Sequence, residues 1–413
     1  MDILASTLVT ALGSGKSEHV NALLDNVTGL SSKVPFHSKI TEIETYLGEV
    51  KQLETIQLPR KLLAFNCRNH QLAWQALQAD GFSQKVQGLI KQFGAHRIGL
   101  VVGTSTSGIA ATEEVFRGEL ASDEYDYEKT DQMGSLAQFC CEALNVQGPS
   151  FVISTACSSS AKVFSVAQRW LKAGIVDVVI AGGVDTLCLT TVHGFNALGL
   201  VSKDICKPLD VGREGINIGE AGGFVLLGDK TLVSECAESS IQVVGVGESS
   251  DAYHISSPHP EGQGAQLAMQ LAMEQAGIGI DKVDYINLHG TATPSNDLSE
   301  ISGISHLANV NTPLWISSTK GFVGHTLGAA GITEVIFCQW ALEEQFVPAN
   351  LNLEQFDPAL EQKLRSAFMM DNINVPLKTL SLTKESLSMH YAMSNSFGFG
   401  GNNASVLLKR EGA

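Results

Sequence analysis

Short apolar runs rich in Val, Ile and Leu recur along the chain, with longer stretches of helical spacing between them. Residues 98–102, 151–154, 176–181, 223–227, 241–246, 285–288, 314–317 and 404–408 read as strands. Residues 161–173, 264–276 and 329–342 read as helices. Strands apolar on both faces need a sheet covered on both sides, so the pattern predicts an α/β fold. A strand-rich passage closes near Asp229, and a fresh α/β stretch opens at Ile241. No Pro/Ser-rich linker lies between them. Two halves, 1–240 and 241–413, are therefore expected to share one core.

Charge and cysteine usage narrow the function classes. Acidic residues number 43 against 27 basic, a formal charge of −16. That balance argues against general nucleic-acid binding and against a basic membrane face. No stretch reaches the roughly 18 apolar residues of a membrane helix. The start, MDILASTLVTALGSGKSEH, lacks the positive region and long apolar run of a signal peptide. Cysteines stand at 67, 140, 141, 157, 188, 206, 236 and 338, without a CxxC pair. This spacing matches neither a zinc site nor a disulfide framework. A cytoplasmic protein with mostly buried thiols is expected.

Cys157 departs from that default. Residues 151–164 read as strand, sharp turn and helix, with small residues crowding the turn at Cys157. Val163, Val166, Ala167 and Leu171 fall on or near one face of the following helix. A thiol at a helix N-terminus meets unpaired N–H groups and the positive end of the dipole, both of which favour a thiolate. The arrangement is similar to a hydrolase nucleophile elbow, without its GxSxG sequence.

Two histidines stand in matching contexts. His289 follows an apolar strand and precedes Gly290, Thr291 and Thr293, an open hydroxyl-bearing loop. His325 follows Lys320 and a glycine-rich turn, ahead of another helix. Ligand sites of α/β sheets gather at such strand ends. The two lie 36 residues apart, a spacing that fits no zinc signature. The glycine-rich stretch 393–403 holds Phe397 and Phe399 ahead of the last strand. It lacks the GK[ST] and following helix of a phosphate loop, so it reads as a loop at a substrate mouth.

Together, STACSSSA at 154–161, HGTATPSND with Glu300, STKGFVGHTLGAAG at 318–331 and NSFGFGGNN at 395–403 resemble the β-ketoacyl-[acyl carrier protein] synthases. GGVDTL at 182–187 and KPLDVGREGINIGEAGGFVLL at 207–227 extend the resemblance. It implies a thiolase-like five-layer α-β-α-β-α fold of two pseudo-duplicated halves. It also implies decarboxylative condensation of a malonyl thioester with an acyl chain, giving a 3-ketoacyl product.

The resemblance carries roles onto matching residues. Cys157 takes the acyl chain as a thioester. His289 and His325 bind the malonyl thioester carbonyl and assist loss of carbon dioxide. Lys320 and Glu300 form a supporting ion pair that orders the histidine loops. Thr291 and Thr293 bond the pantetheine arm. Phe399 gates the acyl site and offers its N–H, with that of Cys157, to an oxyanion. Ser107, Gly108 and Ile109 line the pocket floor across a dimer contact. No metal or resident cofactor is implied, because the phosphopantetheine arrives on an acyl carrier protein.

The implied partners are that carrier protein and a second subunit, either a copy of this chain or a related chain-length subunit. An acidic carrier needs a local basic patch on so acidic a chain. Arg60, Lys61 and Arg68, at helical spacing, are the docking candidates, with Lys203 and Lys207. Three departures from the family pattern point to a divergent branch serving an aryl-polyene or polyketide-type pathway. The N-terminal strand motif is eroded to ILASTLVTALGSG, Lys207-Pro-Leu-Asp stands for Arg-Pro-aromatic-Asp, and Asn402-Asn403 for Thr-Asn. A thiolase would carry a second cysteine late in the chain, and an initiating synthase an Asn in place of the second His. A non-condensing chain-length or scaffold subunit would have lost Cys157 or a histidine.

Overall fold

The computed structural model describes residues 1–123, 125–233, 239–307, 313–368, 372–382 and 388–412. Cys236 lies outside them. Ten strands build the frame: β1 (Asp2–Thr10), β2 (Ile98–Gly103), β3 (Ser150–Ile153), β4 (Val178–Asp185), β5 (Ala221–Gly228), β6 (Ile241–Ser250), β7 (Tyr285–Asn287), β8 (Leu314–Ser317), β9 (Tyr391–Gly398) and β10 (Asn402–Arg410). Seven helices matter for the site: α1 (Arg68–Gln78), α2 (Ile109–Phe116), α3 (Ser159–Lys172), α4 (Leu189–Ala197), α5 (Gln263–Ala276), α6 (Pro294–Leu307) and α7 (Ala330–Glu344).

The same topology occurs twice. In the first series the strands pair in the order β3-β2-β4-β5-β1. In the second they pair as β8-β7-β9-β10-β6. In each, the first two pairings are parallel and the last two antiparallel. The second series opens at Ile241, and the two sheets meet through the single pair Asp2–Gln242. Parallel neighbours demand crossover helices, so both faces of each sheet are covered.

Five layers result, in the thiolase-like arrangement. Helices α3 and α7 pack against each other between the sheets. Helix α7 is apolar around nearly its whole circumference and is buried from Ala330 to Leu342, as a central helix must be. Helix α1 covers the outer face of the first sheet and α5 that of the second. No described helix is long and apolar enough to cross a membrane.

The N-terminal segment, which the sequence pattern did not single out as a strand, is a full strand, β1, paired along its length with β5. One sequence expectation needs correction here. The stretch 393–403 is mostly a hairpin. Residues 391–398 form β9, 399–401 make a tight turn, and β10 begins at Asn402. Serines and asparagine in β9 hid the strand because they are poor strand formers.

Candidate active site

Four chain segments reach one cleft from the C-terminal ends of strands. Cys157 follows β3, His289 follows β7, Lys320 and His325 follow β8, and Phe399 sits in the β9–β10 turn. The cleft has about 610 Å³ of open space and is lined by Cys157, both histidines and Phe399. Its position obeys the strand-end rule for α/β sheets. The Cys157 sulfur and one ring nitrogen from each histidine lie within 4.8 Å of one another.

The turn that presents Cys157 is strained. Ala156 has φ of 51°, the left-handed region that side chains avoid. Ser159 Oγ accepts the Thr155 N–H at 2.9 Å and closes the turn. Cys157 is then held just ahead of α3, and its residue is only 6% exposed. The Phe399 backbone N–H is placed to favour the ionised sulfur. The Phe399 ring packs against Phe195 of α4, with centroids 5.5 Å apart.

Both imidazoles have their tautomers set. Leu327 donates its N–H to His325 Nδ1 at 3.2 Å, so the ring proton sits on Nε2. That Nε2 lies 3.0 Å from the Cys157 sulfur and donates to it. The His325 backbone is pinned by His325 N–H to Asn217 O and Gly219 N–H to His325 O. Lys320 Nζ lies 3.4 Å from His289 Nδ1 and donates to it, which again leaves the proton on Nε2. The two rings stand nearly perpendicular, centroids 5.3 Å apart. The cleft thus holds two imidazole donors. The Lys320 ammonium behind His289 also opposes binding of a dication by these side chains.

Burial tunes these groups. It pushes the Cys157 thiol up to about 11, against the pull of Lys320 and the Phe399 N–H. A helix end contributes only about 0.3–1 kcal/mol. A tenfold change in ionisation needs about 1.4 kcal/mol. The helix terminus alone therefore does not offset burial, which favours the thiol over the thiolate. Burial first, then the Lys320 charge, holds His289 and His325 well below the usual imidazole range. Both stay neutral, as donors to an enolate require.

The expected Lys320–Glu300 ion pair is not formed. Lys320 pairs with Glu334, which projects from central helix α7. Glu300, on α6, instead accepts the N–H groups of His289 and Gly290, each at 2.9 Å, and the Asn395 amide at 3.0 Å. Glu300 still orders the histidine loop, but through its backbone. Burial raises both carboxyls to about 7. Sequence reasoning missed Glu334, although a Glu among apolar helix positions signals a buried partner.

The remaining candidates divide. Thr291 and Thr293 line the cleft, their hydroxyls 2.9 Å apart. Ile109 begins α2, half-buried, and is not among the cleft-lining residues of this single chain. The spacing of Arg60, Lys61 and Arg68 does not put them on one helix. The first two lie on a short 3₁₀ turn, residues 60–65, and Arg68 opens α1. Arg68 is engaged by buried Glu220 at 2.6 Å and by Glu49 at 3.3 Å, so it is corrected to a structural cation. Arg60 and Lys61 are exposed, and Lys61 donates to the Glu142 carbonyl. Lys207 pairs with Glu354 at 3.6 Å, and Lys203 is exposed.

Two family models match the chain: Beta-ketoacyl synthase, N-terminal domain, over residues 50–231, and Beta-ketoacyl synthase, C-terminal domain, over 241–354. The 3-oxoacyl-[acyl-carrier-protein] synthase 2 of Vibrio cholerae is 31% identical over 97% of this chain and 94% of its own length. The chain belongs to the β-ketoacyl synthase family. It is accordingly a condensing acyltransferase. Another relative of this β-ketoacyl synthase, Nodulation protein E of Rhizobium meliloti, is 31% identical over 88% of this chain and 87% of its own. Among solved structures, a chain of the Xenorhabdus doucetiae ketosynthase ApeO in complex with its chain length factor ApeC superposes with a TM-score of 0.83. It shares 32% identity over 99% of this chain and 97% of that one.

Proposed function

We propose that this synthase joins a malonyl unit to an acyl chain held on Cys157, both delivered on the phosphopantetheine arm of an acyl carrier protein. The observation that carries this reading is the sulfur and two Nε2–H donors within one small cleft. Acylation comes first. The Cys157 sulfur attacks the acyl thioester carbonyl, a C–S bond forms, and the pantetheine thiol leaves with the cysteine proton. Backbone N–H groups at Cys157 and Phe399 hold the oxyanion, each worth about 2.7–4 kcal/mol. The malonyl thioester then loses carbon dioxide. Its enolate oxygen accepts from His289 and His325, donors fixed before charge develops. The enolate carbon attacks the acyl carbonyl and a C–C bond forms; the C–S bond to Cys157 breaks, releasing a 3-ketoacyl thioester and a Cys157 thiolate that takes a proton from solvent.

Thr291 and Thr293, at the cleft wall, bond the pantetheine arm, and Ile109 of a second subunit reaches the acyl end. Strand β3 is the outer strand of its sheet, with Phe151 of that strand 55% exposed. An exposed apolar edge strand is a pairing surface, which supports a copy of this chain or a related subunit as partner. Arg60, Lys61, Lys203 and Lys207 supply the carrier-docking charges. The likeness to a ketosynthase solved with its chain length factor supports a specialised pathway and a heterodimer. The intact Cys157, His289 and His325 favour the condensing role over that of the chain-length subunit. The test is incubation with acyl and malonyl carrier proteins, followed by mass spectrometry of the carrier. A 3-ketoacyl carrier product is expected. Its absence with every acyl length offered, from a folded chain assembled with its partner, contradicts the proposal.

A further inference from the structure

We propose that Asp185 is a positioning residue that fixes the tautomer of His325. Its catalytic meaning rests on the ketosynthase reading, but the tautomer itself is measurable without substrate.

Asp185 ends β4, is fully buried, and collects hydrogen bonds from neutral donors. Its Oδ1 accepts the Thr104 hydroxyl at 2.6 Å, the Thr106 hydroxyl at 2.7 Å and the Thr106 N–H at 2.9 Å. Its Oδ2 accepts the Ser105 hydroxyl at 2.7 Å and the Gly328 N–H. The Ser105 N–H lies 3.0 Å from both oxygens. A buried carboxylate so surrounded clamps two loops: 104–106, after β2, and 326–328, after His325.

The second loop carries the consequence. Leu327 has φ of 54°, a left-handed angle that a side chain does not hold unaided. Gly328 lies so close that a Cβ there would sit 2.6 Å from Asp185 Oδ2 and 2.7 Å from Ser105 N. Asp185 thus anchors the residue after Leu327 and stabilises its strained angle. That angle aims the Leu327 N–H at His325 Nδ1, which makes Nδ1 the acceptor and Nε2 the donor. The donor faces the sulfur. Only a carboxylate fits here. Each oxygen receives a backbone N–H, which cannot reverse its role, so an amide in either orientation opposes donor to donor.

The test uses the full chain labelled with ¹⁵N-histidine, with His325→Asn identifying the His325 signals. The wild type is expected to show an unprotonated Nδ1 and a protonated Nε2. Asp185→Asn should move His325 toward a mixture of tautomers and slow alkylation of Cys157 at fixed pH about as much as His325→Asn does. The double variant should be no slower than His325→Asn alone. A purely structural role would leave the tautomer unchanged and make the two effects multiply; either result overturns the proposal. Should Asp185→Asn fail to fold, Gly328→Ala pushes the turn off Asp185 and leaves the other donors in place. The same tautomer shift is expected of it, and an unchanged His325 spectrum overturns the proposal. A wild type with the expected tautomer but no condensing activity would sink the functional reading alone.

Discussion

Lys320 and Glu334 give the sharpest separation of stability from chemistry. Their side chains are 2% and 3% exposed. Glu334→Leu leaves a buried ammonium without its counter-charge, which costs about 3–5 kcal/mol. That is a large part of the roughly 5–15 kcal/mol that holds a typical domain folded. Replacing both, Lys320→Met with Glu334→Leu, substitutes an apolar pair of similar volume, and most of the loss should return. The chemistry should not return with it. Lys320 donates to His289 Nδ1, and a charge-assisted hydrogen bond contributes about 1.5–3 kcal/mol. Malonyl decarboxylation by the double variant should therefore fall roughly 10- to 100-fold. Urea unfolding of the three proteins and carbon dioxide release measure the two effects. A double variant as unstable as the single one refutes the ion-pair argument. Full decarboxylation without Lys320 refutes its role behind His289.

Three further outcomes are expected. His325 is held below its ordinary value, so acid protonates it in the unfolded chain first, and its contribution to stability is lost as pH falls below about 6.5. Between pH 6.5 and 5, wild type should lose up to about 2 kcal/mol more than His325→Asn, read from urea midpoints; equal losses contradict the neutral buried imidazole. Burial raises the Cys157 thiol, so its labelling by iodoacetamide, followed by peptide mass, should climb about tenfold per pH unit from 7 to 9; a plateau below pH 8 contradicts this. A Cβ on Gly398 would lie 2.9 Å from Thr155 O and 3.2 Å from Cys157 N, so Gly398→Ala should displace the Phe399 N–H and slow acylation about 100-fold; an unchanged acylation rate removes that N–H from the mechanism.

The reactive residues were legible because each stands in the loop after an apolar run. Cys157, His289 and His325 follow strands whose burial shows in the sequence, and strand ends converge in a doubly covered sheet. Their supports were harder to read. Glu300 was matched to Lys320 through the family resemblance, as the carboxylate its motif offered. The actual partner, Glu334, depends on which helix fills the layer between the sheets. Strand β9 was hidden because Ser394, Asn395 and Ser396 are polar yet buried between β7 and β10. There they serve the site: Asn395 holds Glu300. Arg68 looked like a docking cation because the sequence does not show Glu220 arriving from another strand end. Asp185 was quoted within a motif, but its donors come from loops about 80 and 143 residues away.

The division of labour between sulfur and imidazoles is tested most directly by intact-protein mass after incubation with an acyl carrier protein, run beside malonyl decarboxylation. Wild type and His289→Ala should both gain the acyl mass, and Cys157→Ala should gain none. Cys157→Ala should still release carbon dioxide from the malonyl carrier, whereas His289→Ala should not. Acylation of Cys157→Ala, or unimpaired decarboxylation by His289→Ala, would contradict the account.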